Sequence, residues 1–466
     1  MPRRFSLYFL LALAVPASAQ APTGYERAVA AGYKALTLCS AMFNAGRTEA
    51  QVEQLELKGI YPEYDSIVPT LPAGVDSKHG TITVAFDPAL PPRRALWSAQ
   101  GGCTILPIGG ASSPASGPAS SAAAAGSGPP AAPAGPDPRP WPTGDSGRWT
   151  LAPESRVQTR LQAVAGHAFD GGYGKDSQTT AVIVVRRGQV DLETYREGFG
   201  PFTAQRTWSV AKSLSGTLIG IASGLGAIDV ARPAPIPEWR HPGDPRGAIT
   251  TNQLLRMASG LHSGAAGNRT DAVYFGGAAV TEEVVAWPLE AAPGTRFRYA
   301  NDDILLAIRG LRAKLADERA YAAFPRERLF ARIGMTHTIA ERDWQGNFIL
   351  SSQVWSTARD LARFGMLYLA DGMWNGERIL PKGWVRYVTT PSGPQPEGAF
   401  GYGATFWLLN HSPGVPADSF AAFGNRGQYV VIVPSRSVVI VRRGEDPGNA
   451  RFDIAKFTAD ALAALD

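Results

Sequence analysis

Three short segments hold side chains whose types and spacing can do chemistry. The first is Trp208-Ser209-Val210-Ala211-Lys212-Ser213. Apolar residues at Leu214, Leu218, Ile219 and Ile221 continue it at helical spacing to about Ser223. That pattern predicts a helix with Ser209 at its N-terminus. Lys212 then lies one turn on and on the same face as Ser209. A serine hydroxyl is a weak nucleophile until a base takes its proton. An amine serves as that base once it is neutral, and loss of water lowers a lysine pKa in the required direction. The bland alternative is that Ser209 only caps the helix and Lys212 is solvated. Val210, Ala211, Leu214 and Ile219 leave little water for it.

The second segment is Tyr299-Ala300-Asn301, after Pro293 to Arg298. A tyrosine oxygen beside such a serine–lysine pair can carry the proton to a leaving group, and the Asn301 amide can hold a substrate carbonyl. The third is Phe423-Gly424-Asn425-Arg426-Gly427-Gln428, directly before an apolar strand pattern, Tyr429 to Val433. Its two glycines permit close backbone approach by a ligand. A backbone N–H at Asn425 can supply one half of an oxyanion hole and the N–H of Ser209 the other. Each segment alone is a weak signal.

In this order the three resemble the Ser-x-x-Lys, Tyr-x-Asn and Lys-Thr-Gly motifs of the serine β-lactamase and penicillin-binding-protein family. The closest likeness is to the class C β-lactamase-related serine hydrolases, which include esterases, D-aminopeptidase-like enzymes and the 6-aminohexanoate-dimer hydrolases. Gln253 to Leu261, Ser356 to Gly365 and Asp371 to Pro381 are similar to family segments between and after the motifs. The likeness spans about Val157 to Ala464. It implies a Ser209 acyl-enzyme, with Lys212 and Tyr299 managing protons and Gly424, Gly427, Gln428 and Asn301 facing the substrate. It implies no metal and no organic cofactor. Ala422 and Phe423 stand where the family has Lys or His, then Thr or Gly. The cation that holds a β-lactam or peptide carboxylate is therefore missing, unless Arg426 or Arg442 replaces it. The missing cation points away from a true β-lactamase or D,D-peptidase, and the Gly-x-x-Gly-Gln form of Gly424 to Gln428 resembles the 6-aminohexanoate-dimer hydrolase branch. In that branch a further tyrosine assists amide cleavage, and Tyr274 is the candidate here. A non-catalytic receptor that keeps the fold is the alternative from another class.

The elements that must position these residues are legible in outline. Val157 to Phe169 reads as a helix. Thr179 to Arg187 and Val190 to Tyr195 read as two strands about a tight turn, and Gln428 to Val433 with Ser437 to Arg443 as a second hairpin. Phe452 to Leu465 closes the chain as a helix. The expectation is an α+β, β-lactamase-like domain over residues 148–466, with an antiparallel sheet built from both its ends and an inserted helical lobe. Before it, residues 111–147 form a linker, nearly all Ala, Ser, Pro and Gly to Pro140. Residues 20–110 read as a small accessory α+β unit. It has helices at Tyr25 to Cys39 and Thr48 to Leu57 and strands at Thr81 to Phe86 and Ala95 to Ser98. We expect this unit to fold separately and to stay outside the active site.

Residues 1–19 read as a signal peptide, with Arg3 and Arg4, an apolar run from Phe5 to Val15, and the small residues Ala17-Ser18-Ala19. The expectation is a periplasmic or secreted protein without an integral membrane segment. In that oxidising setting the only two cysteines, Cys39 and Cys103, are expected to pair. The six His form no HxH, HExxH or CxxC-like cluster, so no metal is expected. The net charge of +5 is a mild excess of 45 cations over 40 anions with no basic run, which argues against nucleic acid. The expected partner is a small ester or amide, such as a short peptide or cell-wall fragment.

Overall fold

The computed structural model describes residues 21–110, 135–146, 155–263, 270–315 and 317–466. The expected signal peptide and residues 111–134 of the expected linker lie outside them. Among the described residues, no helix is long and apolar enough to cross a membrane.

The central element is a seven-stranded antiparallel sheet. Its order runs Gly401–Tyr402, Trp407–Leu408, Phe420–Gly424, Gln428–Val433, Val438–Gly444, Thr179–Arg186 and Gln189–Tyr195. The sheet is assembled from both ends of the domain, as expected, because Val438–Gly444 pairs with Thr179–Arg186. Thr179–Arg186 is buried at nearly every position because both faces of the sheet are covered. Val182, Val184, Val431 and Ile440 face the helices Arg156–Phe169 and Ile454–Ala464. Their sequence neighbours Ile183, Val185, Ile432 and Val441 turn to the other face, in the large core. The helices Val210–Gly224 and Ala358–Leu369 pack there.

The N-terminal residues form the helix Gly24–Phe43 and a four-stranded antiparallel sheet, Ala73–Asp76, Thr81–Val84, Arg93–Ser98 and Gly102–Ile105. Thr48 caps the short helix Glu49–Gln54 through a capping box. A disulfide joins Cys39 to Cys103.

These residues do not stand apart, contrary to the expectation of a free accessory unit. The Gly24–Phe43 helix is buried on nearly every side, and a helix apolar all round must be covered all round. Its own sheet covers part of it and the rest lies against the C-terminal domain. Gly32 packs so closely there that a β-carbon would sit 1.9 Å from the Phe275 carbonyl oxygen. Ser40 Oγ donates to Glu341 Oε1 at 2.6 Å, and Arg93 donates to the Phe275 carbonyl at 2.9 Å. Residues from both parts belong to one hydrophobic core.

Residues 135–146, expected to continue the linker, are also docked. Arg363 donates to the Gly144 carbonyl at 2.6 Å and to Asp145 at 2.8 Å, and its guanidinium lies 4.6 Å from the Trp141 ring centroid. Trp141 and Asp145 supply anchors that an Ala/Ser/Pro/Gly run lacks.

Gly32→Val tests the contact between the N-terminal helix and the C-terminal domain. The added side chain must push the helix off Phe275, and overpacking of that kind costs about 1–3 kcal/mol. A lowered thermal midpoint is the expected result. Gly24→Ala, which meets nothing within 4 Å, is expected to leave the midpoint unchanged.

Candidate active site

Ser209 stands at the N-terminus of the Val210–Gly224 helix, but its side chain makes no capping hydrogen bond. The hydroxyl is therefore not spent on the helix end. The turn before it is tight. Trp208 has a φ of 50°, in the left-handed region that bulky residues avoid at a cost of about 1–2 kcal/mol. Its neighbours hold it there. The Thr207 N–H donates to the Val354 carbonyl at 2.8 Å, and the Arg206 guanidinium lies 3.8 Å from the Trp208 ring centroid.

Lys212 points back one turn to Ser209 and is 1% exposed. Its Nζ lies 2.8 Å from Ser209 Oγ, 2.6 Å from Asn301 Oδ1 and 3.0 Å from the Ser351 carbonyl oxygen. Burial pulls its pKa down to about 7, against the upward pull of the Asp302 carboxyl, and the nearby Arg206 lowers it a little further. Those three contacts suit a neutral amine. It has two hydrogens and one lone pair. Asn301 Oδ1 and the Ser351 carbonyl can only accept, so they take the two hydrogens. The lone pair is left to accept the Ser209 proton. Burial also weakens the opposition from Asp302. Both its carboxyl oxygens lack a partner among the described residues, and burial, with Asp303 nearby, pushes its pKa up to about 8.

Tyr299 is beside the same hydroxyl. Burial pushes its phenol up to about 12, while contacts with the Ser209 hydroxyl and with Trp407 pull partly back. It therefore keeps its proton at neutral pH. The Lys212 Nζ is 4.9 Å from its ring centroid. Tyr274 joins through Ser351. Its hydroxyl and Ser351 Oγ are 2.5 Å apart, so Ser351 meets Tyr274 with its side chain and Lys212 with its carbonyl. Burial pushes the Tyr274 phenol up as well.

The third segment divides. Phe423, Gly424 and Asn425 line the same cleft, of about 420 Å³, as Ser209, Tyr299 and Asn301. Gly424 is required there, because a β-carbon would come within 2.3 Å of the Thr207 carbonyl and 3.2 Å of the Ser209 nitrogen. Gly427 and Gln428 do not line it. Gly427 instead makes room for the Arg442–Asp446 ion pair, since a β-carbon would lie 1.6 Å from Arg442 Nη1. Gln428 is fully buried, donates to the Gly444 carbonyl at 2.5 Å and accepts from Arg443 at 2.5 Å. Neither candidate replacement cation reaches the cleft. Arg426 is bound to Glu445 and to the Leu55 carbonyl, and Arg442 to Asp446 and Thr179. Of the described residues lining the cleft, none is Lys or Arg, and Asp271 is the one with a charge.

Asn301 lines the cleft, but its side-chain oxygen is committed to Lys212 rather than presented to a carbonyl. Sequence reasoning missed Ser351, Ser352, Trp407 and Asp271, and also Ile60, Tyr61 and Pro62, which line the cleft from the N-terminal part. The Ser351 contact to Lys212 is a backbone carbonyl, which has no signature in side-chain types.

Ser209 and Tyr299 thus line one aromatic-walled cleft, and the buried amine of Lys212 touches Ser209 from behind. The beta-lactamase family model matches residues 167–465, more than half of the chain. The chain belongs to the beta-lactamase family. This beta-lactamase-family chain is similar to the 6-aminohexanoate-dimer hydrolase of Paenarthrobacter ureafaciens, 29% identical over 338 residues that cover 66% of this chain and 83% of that protein. In fold it is similar to a D-alanine carboxypeptidase from Burkholderia cenocepacia, at 20% identity and TM-score 0.50 over 66% of this chain and 98% of the other. It is likewise similar to a beta-lactamase/D-alanine carboxypeptidase from Pseudomonas syringae, at 15% identity and TM-score 0.52 over 67% and 100%. The α+β, β-lactamase-like fold and the serine-hydrolase family are thereby shown. The family model does not cover the first 166 residues.

The state of Lys212 has a kinetic signature. A base with a pKa of about 7 is protonated and idle below that pH and competent above it. The expected kcat/KM for a neutral ester rises through pH 7 and levels off, with no loss from Tyr299 until well above pH 10. Lys212→Arg cannot supply a neutral base in this range and is expected to lower kcat by about a thousandfold. A profile flat from pH 5 to 9 contradicts the assignment.

Proposed function

We propose that this protein is an exported serine hydrolase that cleaves an ester or amide bond through a Ser209 acyl-enzyme. The observation that carries the reading is the contact of Lys212 Nζ with Ser209 Oγ at 2.8 Å, made by an amine whose pKa burial lowers to about 7. Lys212 takes the hydroxyl proton as Ser209 attacks the carbonyl carbon. The backbone N–H groups of Ser209 and Asn425 face the developing oxyanion. Tyr299, which holds its proton at neutral pH, passes one to the leaving alcohol or amine and is reprotonated from Lys212. Water then enters by the same route in reverse and releases the acid. Tyr274, tied to Ser351, assists an amine leaving group. Asn301 and Ser351 hold Lys212 in register rather than touching substrate.

The substrate is a small ester or amide without a carboxylate to be anchored. The described cleft lining has no cation and one carboxylate, Asp271, which repels a β-lactam carboxylate. The likeness to a 6-aminohexanoate-dimer hydrolase supports an amidase or esterase. The Arg3-Arg4 and Phe5–Val15 leader together with the Cys39–Cys103 disulfide supports export to the periplasm or medium.

A fluorophosphonate probe is expected to label the protein at Ser209, and Ser209→Ala to abolish labelling. Nitrophenyl acetate is expected to be turned over with a kcat/KM at least a hundredfold above that of a chromogenic cephalosporin. Labelling that persists in Ser209→Ala, or a preference for the cephalosporin, overturns the reading.

A further inference from the structure

The family model begins at residue 167, so it assigns nothing to the chain before it. The cleft does. Ile60, Tyr61 and Pro62 line it beside Ser209 and Trp208. We propose that Tyr61 is the specificity-determining wall of this hydrolase, setting how bulky a group can lie next to the nucleophile. The proposal rests on Ser209 being that nucleophile.

Position is the first support. The Tyr61 ring centroid lies 6.3 Å from that of Trp208, the residue that precedes Ser209. A group bonded to Ser209 shares the cleft with this ring.

Rigidity is the second, because a wall discriminates by size only if it does not yield. The Tyr61 ring is wedged among Tyr33 at 5.1 Å, Phe275 at 5.6 Å and Tyr64 at 5.8 Å, centroid to centroid. Its backbone is fixed as well. Gly448 donates to the Gly59 carbonyl at 2.7 Å, and Tyr64 donates to the Tyr61 carbonyl at 2.8 Å. Pro62 opens the turn that follows and limits its freedom.

The third support is that both sides of the cleft hold this segment. On one side Arg426, directly after the cleft residue Asn425, donates to the Leu55 carbonyl at 2.9 Å. On the other the Tyr64 hydroxyl donates to Asp271 at 2.8 Å, one turn before Tyr274. The segment spans the site from the oxyanion loop to the Tyr274 turn. The group it limits is carbon-rich and carries no carboxylate. The aromatic lining is Trp208, Tyr274, Tyr299, Trp407 and Phe423, with Asp271 the one acidic residue and no described cation.

The test compares kcat/KM for nitrophenyl trimethylacetate and nitrophenyl acetate on the full-length protein. Tyr61→Ala is expected to raise the bulky-to-small ratio at least tenfold. Tyr61→Trp is expected to lower it, and Tyr61→Phe to hold it within twofold. The Trp and Phe variants keep a ring in the wedge, so their comparison decides the matter even if Tyr61→Ala does not fold. If all folded variants change both esters by one common factor, Tyr61 is only structural and the proposal falls. That outcome leaves fluorophosphonate labelling at Ser209 intact, whereas a failure of the hydrolase reading removes it.

Discussion

An amine cannot keep its charge where water cannot follow it, and much of this fold serves to keep water from Lys212. The displacement of its pKa from 10.5 to about 7 corresponds to roughly 5 kcal/mol of preference for the neutral form. The sign matters for stability. The folded state penalises the protonated amine, so the native protein bears the full cost below about pH 7. The cost fades as pH rises toward 10.5. At neutral pH the catalytic state is thus bought with stability that the large shared core must supply. The same burial keeps the Tyr299 phenol protonated and the Asp302 carboxyl largely uncharged. One physical cause lowers the pKa of the Lys212 amine, keeps the Tyr299 proton and quiets the carboxylate that would have recharged the amine.

The serine–lysine pair was legible because both residues lie on one helix, three apart, in a run too apolar for a solvated lysine. Proximity along a helix is encoded locally. The central sheet was legible for a similar reason, since strands covered on both faces read as long apolar runs. Tyr299 was legible only through a pattern of three motifs in order. Gly427 and Gln428 show where that reasoning failed. They flank the correct loop, but they follow the point where the chain turns into the strand Gln428–Val433. Beyond it the side chains turn to the buried ion pairs behind the sheet. A motif names a loop, whereas the pleat decides which of its residues face the ligand.

The N-terminal wall was not legible, although a clue was present. The run from Ala28 to Ala41 is apolar except at Lys34, Thr37 and Ser40, and a helix with only its own four-stranded sheet for cover would keep a wider polar face. Its second cover, around Phe275 and Glu341, is more than two hundred residues away in sequence. Nor does the chain between hint at it, because a linker of small residues reads as freedom. Tyr61 looked like one aromatic among many until the fold placed it beside Trp208.

The cleft draws on residue 61 and on residue 425, and the central sheet joins residues 179–186 to 438–444. Contacts between such distant parts of a chain form late, since long loops must close before they are rewarded. A partly made chain therefore has the serine, the lysine and the tyrosine but no finished site around them. Until the last strands arrive, Lys212 has no dry interior to hold it neutral, and the reactive state does not exist. On the proposed mechanism, such a chain acts only once these distant segments have met.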